Sequence, residues 1–140
     1  MPADATASGA IDDGRIVRMR FEGPLVFANV SFFEEQLQQL LASTPNLKVL
    51  IIDGVSISEV DASGEETLRN SFKRLTESGV SVLFTRFKKP IMEIFKRSHM
   101  HDDVDMENFY RNPTNAFAHA WDLVVDDSDT EHTILEERLS

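Results

Sequence analysis

The spacing of hydrophobic and polar residues along the chain first follows the two-residue period of a β-strand. Residues 16–21 alternate, with apolar side chains at every second position on one face. Residues 22–24 include a Gly-Pro pair that favours a turn, and residues 25–28 form a second short apolar run. These three segments together predict an N-terminal hairpin.

The next segments change to the period of a helix and then to a continuous apolar run. Ser31 and Glu34 have the spacing of a capping box, and they precede an apolar stripe made of Phe33, Leu37, Leu40 and Leu41. Residues 49–52 are all apolar, which is typical of a central strand covered on both faces. We interpret residues 53–60, which follow this strand, as a loop.

The second half of the chain again alternates helices with strands. A second capping-box spacing begins at Ser63, the segment 80–85 is mostly apolar, and Pro90 suits the first turn of a helix. A short strand is predicted near residues 107–110. A final helix would carry the apolar stripe Ala116, Phe117, Ala120, Trp121 and Val124.

The predicted element order is β-β-α-β-α-β-α-β-α, which indicates a single α/β domain. Strands that alternate with helices imply a mixed, mostly parallel sheet, here with the hairpin at its N-terminal end. We expect Leu68 and Phe72 of the second helix to share one core with Ile51 of the central strand.

The charge of the chain is concentrated at its ends. The net charge is −10, and both the first thirteen and the last fifteen residues are rich in Asp and Glu. We therefore predict a folded domain over residues 14–125. Residues 1–13 would be a linker or a tail added in cloning, and residues 126–140 an acidic, flexible tail.

Composition argues against several classes of function. The chain has no Cys, so no disulfide framework and no thiolate chemistry is expected. Its acidity argues against binding to nucleic acid, which draws on clustered Lys and Arg. Neither a signal peptide nor an apolar run of the ~20 residues needed to cross a bilayer is present, so we expect the chain itself to be soluble.

Two segments carry a family resemblance. Residues 52–64, IDGVSISEVDASG, resemble the strand, acidic turn and Asp-x-Ser-Gly helix start of the STAS family of sulfate transporters and anti-sigma-factor antagonists. Residues 22–29, EGPLVFAN, are similar to the segment that SulP-family anion permeases carry at their first hairpin. Gly54 after Asp53, and Ala62 before Ser63, depart from the pattern of the antagonists. The resemblance covers residues 15–125.

This resemblance implies a regulatory or interaction domain and not an enzyme. The domain would lie on the cytoplasmic side of the inner (plasma) membrane, attached to the membrane domain of a SulP-type secondary transporter of sulfate, bicarbonate or a dicarboxylate. A cytosolic protein could be a further partner. The alternative is a free-standing switch, similar to the antagonists, that is controlled by phosphorylation of Ser63. Nucleotide binding, proposed among relatives, is a third and weaker alternative.

The candidate site is the motif loop with Asp53, Asp61, Ser63 and Gly64. A loop between a parallel strand and a helix is the usual place for a site in α/β folds, and the amides of a helix start attract anions. Ser63 could be a helix cap or a phosphorylation site. Asp53 and Asp61 could be paired catalytic carboxylates, but satisfying loop amides is the commoner role of such residues.

A second candidate is the cationic segment with Arg86, Lys88 and Lys89. These residues are either solvated or in contact with an anionic lipid, a nucleotide or an acidic partner. We expect them to lie beside Ser63, because loops leaving neighbouring parallel strands emerge at the same edge. The segment 99–103 contains two His and two Asp without a recognised ligand spacing, so neither a metal nor a cofactor is predicted.

Overall fold

A computed structural model describes residues 4–11 and 14–125, with side chains for the second range. The strands are β1 Asp4–Ile11, β2 Ile16–Leu25, β3 Val49–Asp53, β4 Ile57–Val60, β5 Ser81–Thr85 and β6 Phe109–Tyr110. The helices are α1 Val30–Ser43, α2 Ala62–Glu77, α3 Lys89–Arg97, α4 Met100–Asp103 and α5, residues 113–125. No helix among the described residues is both long and apolar enough to cross a membrane.

The sheet is mixed and mostly parallel, which confirms the predicted α/β class. Its strand order is β1-β2-β3-β5-β6, and β4 pairs beside this row with the end of β2. Only the β1–β2 pair of the described strands is antiparallel, and the other pairs are parallel. The carboxyl ends of β3, β5 and β6 therefore meet at one edge of the sheet.

The N-terminal hairpin exists, but its strands differ from the predicted ones. Strand β2 continues to Leu25, and its antiparallel partner is β1, whose residues we had assigned to a linker or tail. Gly23, at φ 111°, and a register shift before Leu25 let the strand continue past the predicted turn. The predicted strand at 25–28 is instead largely a 3-10 turn at Phe27–Asn29. The predicted C-terminal tail, residues 126–140, lies outside the described residues.

Two helix starts and one loop also differ from the predictions. Helix α1 begins at Val30, one residue before the predicted capping residue Ser31, and it has no side-chain cap. The side chain of Asn29 donates to the carbonyl of Pro24. Helix α2 is capped by Asp61, so Ser63 is not its cap. Part of the predicted 53–60 loop forms β4, since Ile57 and Val60 are buried against the end of β2.

Two apolar clusters cover the two faces of the sheet. The larger one contains Phe21, Phe33, Leu68 and Phe84, and the smaller one joins α5 to Ile51 and its neighbours. Ile51 is therefore separated from Leu68 by the sheet, and the prediction of one shared core was wrong for Ile51. Successive side chains of a strand point to opposite faces of the sheet. Because every residue of the run 49–52 is apolar, the sequence did not indicate which face each side chain occupies.

Candidate functional site

The motif loop starts from a buried ion pair. The Asp53 side chain is fully buried at the end of β3, where Arg86 donates from Nε over 3.2 Å and from Nη2 over 2.5 Å to its two oxygens. The backbone amide of Val55 donates to the same carboxylate over 3.0 Å. The hydrogen bonding that Arg86 donates to the Asp53 carboxylate raises the pKa of the Arg86 guanidinium above its ordinary value. This pair joins the ends of β3 and β5.

Backbone geometry places Arg86 for this contact. Its φ is 59°, in the left-handed region that residues with a Cβ seldom adopt, and its amide donates to the carbonyl of Tyr110 over 2.9 Å. Next to it, the ring of Phe87 covers Gly54, where an added Cβ would lie 2.6 Å from ring atoms. The two predicted loops therefore meet, at Asp53 with Arg86 and at Gly54 with Phe87.

The middle of the motif loop is pinned to β2. Gly23 donates from its amide to the carbonyl of Ser56 over 2.9 Å, and the Arg20 guanidinium donates to the Ser56 hydroxyl over 3.2 and 3.0 Å. Strand β4 then buries its first and last residues and exposes Ser58 and Glu59. The loop thus presents two polar side chains on a backbone that is held at both ends.

Asp61 ends the loop by linking two segments. Its Oδ1 accepts the amide of Gly64 over 2.8 Å, and its Oδ2 accepts the amide of Phe27 over 3.0 Å. These bonds, the one from Gly64 first, hold the pKa of the Asp61 carboxyl below its ordinary value of 3.8. Asp61 therefore fixes the start of α2 to the turn before α1.

Gly64 allows α2 to approach β2 closely. A Cβ at this position would lie 1.9 Å from the carbonyl oxygen of Leu25, a distance that no side chain can adopt. The helix start therefore rests directly on the backbone at the end of β2. Capping by Asp61 and close packing at Gly64 account for the aspartate and the glycine of the Asp-x-Ser-Gly pattern.

Ser63 lies in the first turn of α2 and is partly exposed. Its hydroxyl makes no hydrogen bond to any part of the chain that the structure describes. Of the two glutamates that follow, Glu65 is buried and accepts a hydrogen bond from Arg69 over 2.9 Å, whereas Glu66 is exposed. Phosphorylation of Ser63 remains a prediction, and the exposed carboxylate of Glu66 would oppose it electrostatically.

None of the three predicted cations, Arg86, Lys88 and Lys89, lines the cavity beside the start of α2, although we expected them to lie there beside Ser63. The cavity beside the start of α2, of about 720 Å³, is lined by Asp61, Ala62, Lys96 and Arg97 among others. Arg86 and Lys89 line a separate cavity between α3 and β6, and Lys88 lies exposed just before α3. The contact of these cations with an anion or a partner remains a prediction.

The two aspartates of the motif loop contact different partners. Asp53 is held by Arg86 and Asp61 by two amides, so the two carboxylates have separate structural roles. His99 Nδ1 lies 3.2 Å from the carboxylate of Asp102. Within residues 4–11 and 14–125, no group of three or more His, Cys, Asp or Glu side chains could hold a metal ion.

Sequence reasoning missed one feature of this region, the exposure of Phe27. Its side chain is 76% exposed although its amide is held by Asp61. We had assigned Phe27 to a predicted strand at residues 25–28. The apolar pattern of this segment did not predict the 3-10 turn at Phe27–Asn29 that exposes the side chain. The similarity of residues 22–29 to the SulP segment was the one available signal.

Comparison with known proteins identifies relatives of the fold. The sequence model of the STAS domain matches residues 10–116. Sulfate transporter 1.2 of Arabidopsis thaliana is 22% identical over 110 residues, which are 72% of this chain but only 17% of that protein. The chain thus spans about a sixth of the length of that relative.

Two solved structures illustrate the two branches of similar proteins. The STAS domain of a SulP transporter from Vibrio cholerae is 19% identical, with a TM-score of 0.63 over 79% of this chain and 83% of that one. A candidate anti-sigma factor antagonist from Thermotoga maritima is 14% identical, with a TM-score of 0.67 over 80% of this chain and 91% of that one. At these identities the likeness concerns the fold.

Proposed function

Because the chain belongs to the STAS domain family, we propose that it is the regulatory and interaction domain of a SulP-type secondary anion transporter. It would lie on the cytoplasmic side of the inner (plasma) membrane, attached to the transporter's membrane domain. The observation that carries this proposal is the match of 72% of the chain to 17% of a sulfate transporter. Sulfate, bicarbonate or a dicarboxylate would be the transported substrate, and the membrane domain would bind it.

The arrangement of the motif loop supports interaction with a protein and not catalysis. Its two aspartates have all their described contacts within the fold, and they hold exposed groups in place around the start of α2. These exposed groups are Phe27, Ala28, Ser58, Glu59 and Ala62, which we call the motif surface. An exposed aromatic ring beside a fixed backbone is the kind of anchor that protein interfaces use.

The test is transport by the full-length gene product with and without this domain. Deletion of the codons for residues 10–116 should change the uptake rate or the surface level of the transporter, measured with radiolabelled sulfate, bicarbonate and dicarboxylates. Unchanged uptake at an unchanged surface level would contradict the proposal. So would a gene product that contains no membrane-spanning segments.

A finer test uses one residue of the motif surface. Phe27→Glu should weaken the binding of the purified chain to the membrane domain, because it places a charge at the proposed anchor. The matched control is Trp121→Glu on α5, an aromatic residue that is 49% exposed and lies on the other side of the sheet. Equal effects of both substitutions would argue against the motif surface.

A second candidate function is the phosphorylation switch at Ser63. The observations that favour it are the unbonded hydroxyl of Ser63 and the fold similarity to the candidate antagonist. Mass spectrometry of the protein isolated from its own cells tests it, because phosphorylation adds about 80 Da to the peptide that contains Ser63. A peptide that stays unmodified under all growth conditions, together with normal signalling by Ser63→Ala, would exclude the switch.

A further inference from the structure

A cavity of about 690 Å³ between α3, the segment after β5 and the residues around β6 has a cationic wall. Lys89 and Lys96 line it from α3, and Arg111 lines it from the end of β6. Among the side chains of residues 14–125, no carboxylate lies within ion-pair distance of these three cations. Arg86 also lines the cavity, but its charge is already paired in the motif loop, and Glu93 supplies one opposing charge.

The floor of the same cavity is apolar. Phe87, Met92, Met106 and Phe109 line it, and the two phenylalanines pack edge to face with ring centroids 6.2 Å apart. Both rings also contact the core ring of Phe84, so the packing of the fold holds this floor in place. Apolar surface is unfavourable in contact with water. A fitting occupant therefore combines carboxylates for the wall with apolar side chains for the floor.

The residues that follow α5 have this combination. Residues 126–140, DDSDTEHTILEERLS, carry six carboxylates and one arginine, which is a net charge of −5. Ile134 and Leu135 stand directly before Glu136 and Glu137, and Leu139 follows close behind. This segment thus places two carboxylates beside apolar side chains, and it complements the cavity in both charge and polarity.

The connection from α5 to the cavity is long enough. Helix α5, residues 113–125, starts two residues after Arg111 and is about 20 Å long, so its end lies about 20 Å from its start beside the cavity. The eight residues 126–133 span up to about 26 Å when extended. Strand β6 is at the edge of the described sheet, so the connection can pass from the face of α5 to the face of α3 around this edge.

We propose that residues 134–139 of this chain dock in the cavity between α3 and β6. The two glutamates of the segment would contact Lys96 and Arg111, and its apolar side chains would lie on the phenylalanine floor. While the segment is docked, the cavity is closed to other acidic partners. This contact lies within one chain, and it does not depend on the proposed attachment to a transporter.

The test is paramagnetic broadening of backbone amide signals in the full 140-residue chain. The chain has no Cys, so a single spin label can be attached at Ser140→Cys. At low salt we expect strong broadening at residues 89–96 and 109–111. Helix α1 is the internal reference, because it contacts β1 and β2 at the other edge of the sheet. At 1 M ionic strength, where charges are screened over about 3 Å, the broadening near the cavity should fall at least roughly twofold.

Matched variants separate docking from general attraction to positive charge. Lys96→Glu should reduce the docked fraction roughly three- to tenfold, because it replaces an attractive contact with a repulsive one. Arg97→Glu is the control, since Arg97 neighbours Lys96 on α3 but does not line this cavity. Both side chains are exposed, so folding should be unaffected. Adding Glu136→Lys and Glu137→Lys to the Lys96→Glu chain should restore part of the broadening.

Three results would overturn the proposal. One is broadening near the cavity that does not exceed the broadening in α1. Another is an equal loss of broadening for Arg97→Glu and Lys96→Glu, which would mean that the segment responds to the overall charge of α3. The third comes from a mixture of spin-labelled chains with isotope-labelled chains that carry no spin label. Equally strong broadening in this mixture would show that the contact forms between two copies and not within one.

Discussion

The segment that joins β3 to α2 has one aspartate and one glycine near each of its two ends. Different contacts hold these two ends. At the first end, Asp53 is fully buried and bound to Arg86, and Gly54 lies against the ring of Phe87. At the second end, Asp61 is less buried and accepts two backbone amides. There Gly64 lies against a backbone carbonyl, and not against a side chain.

The groups that a residue contacts decide which substitutions are tolerated at its position. A buried carboxylate needs its cation, whereas a capping carboxylate can be replaced by another acceptor. A glycine beside a ring can be replaced if the ring moves, whereas a glycine beside a backbone carbonyl cannot. At the first end we therefore expect Asp53 to tolerate substitution less than Gly54 does. At the second end we expect Gly64 to tolerate it less than Asp61 does.

The largest effect is expected for Gly64→Ala. The new methyl group would overlap the carbonyl of Leu25, which belongs to β2 and cannot move without disturbing the sheet. We expect the free energy of unfolding to fall by about 3–5 kcal/mol, measured by urea denaturation. Gly79→Ala is the control: it has open space and only an unfavourable φ of 92°, so it should cost about 1 kcal/mol. Equal costs would refute the close approach at Gly64.

Arg86→Ala should have the next largest effect. It leaves the buried carboxylate of Asp53 with the Val55 amide as its only described donor, and we expect a loss of about 2–4 kcal/mol in unfolding free energy. Arg86→Lys keeps the charge but not the two-pronged contact, so it should lose less. A loss below about 1 kcal/mol for Arg86→Ala would show that the ion pair does not hold the first end.

Gly54→Ala should cost less than Gly64→Ala, about 1–3 kcal/mol, because its neighbour is the ring of Phe87 and rings can rotate. A double-mutant cycle sharpens this expectation. Phe87→Leu should relieve part of the clash, so the two substitutions together should cost less than the sum of their separate costs. Strict additivity would mean that the ring is not the obstacle at Gly54.

The smallest effect concerns the charge of Asp61. Asp61→Ala removes an acceptor for two amides and should cost about 1–2 kcal/mol, whereas Asp61→Asn keeps an acceptor and should cost less. The pKa of Asp61 is lower in the folded state than its ordinary value of 3.8. The stabilisation by its charge is therefore present above pH 3.8 and is lost as the pH falls through the folded pKa.

Chemical denaturation at several pH values measures this charge effect. The difference in unfolding free energy between the natural chain and Asp61→Asn should shrink as the pH falls from 6 to below 3.8. A difference that stays constant over this range would show that the charge of Asp61 does not stabilise the helix start.

Local patterns predicted most of the regular elements and the family. The apolar run at 49–52 and the helical stripes correspond to β3, α1, α2 and α5, because each pattern depends on residues close in sequence. The residues of the motif loop were also identified from sequence. Their roles were not, since the cap of α2 is Asp61 and not Ser63, and the charge of Arg86 is paired with Asp53.

The sequence by itself determined the α/β class, the STAS family and the positions of the motif loop, because periodicity and a contiguous motif are local properties. Only the tertiary structure decided that β1 and not residues 25–28 forms the hairpin, that β4 pairs with β2, and that Arg86 and Lys89 line a cavity other than the one beside the start of α2. Each of these features joins segments distant in sequence. Their contacts depend on which backbone groups and side chains the packed sheet brings together, and no local pattern encodes that information.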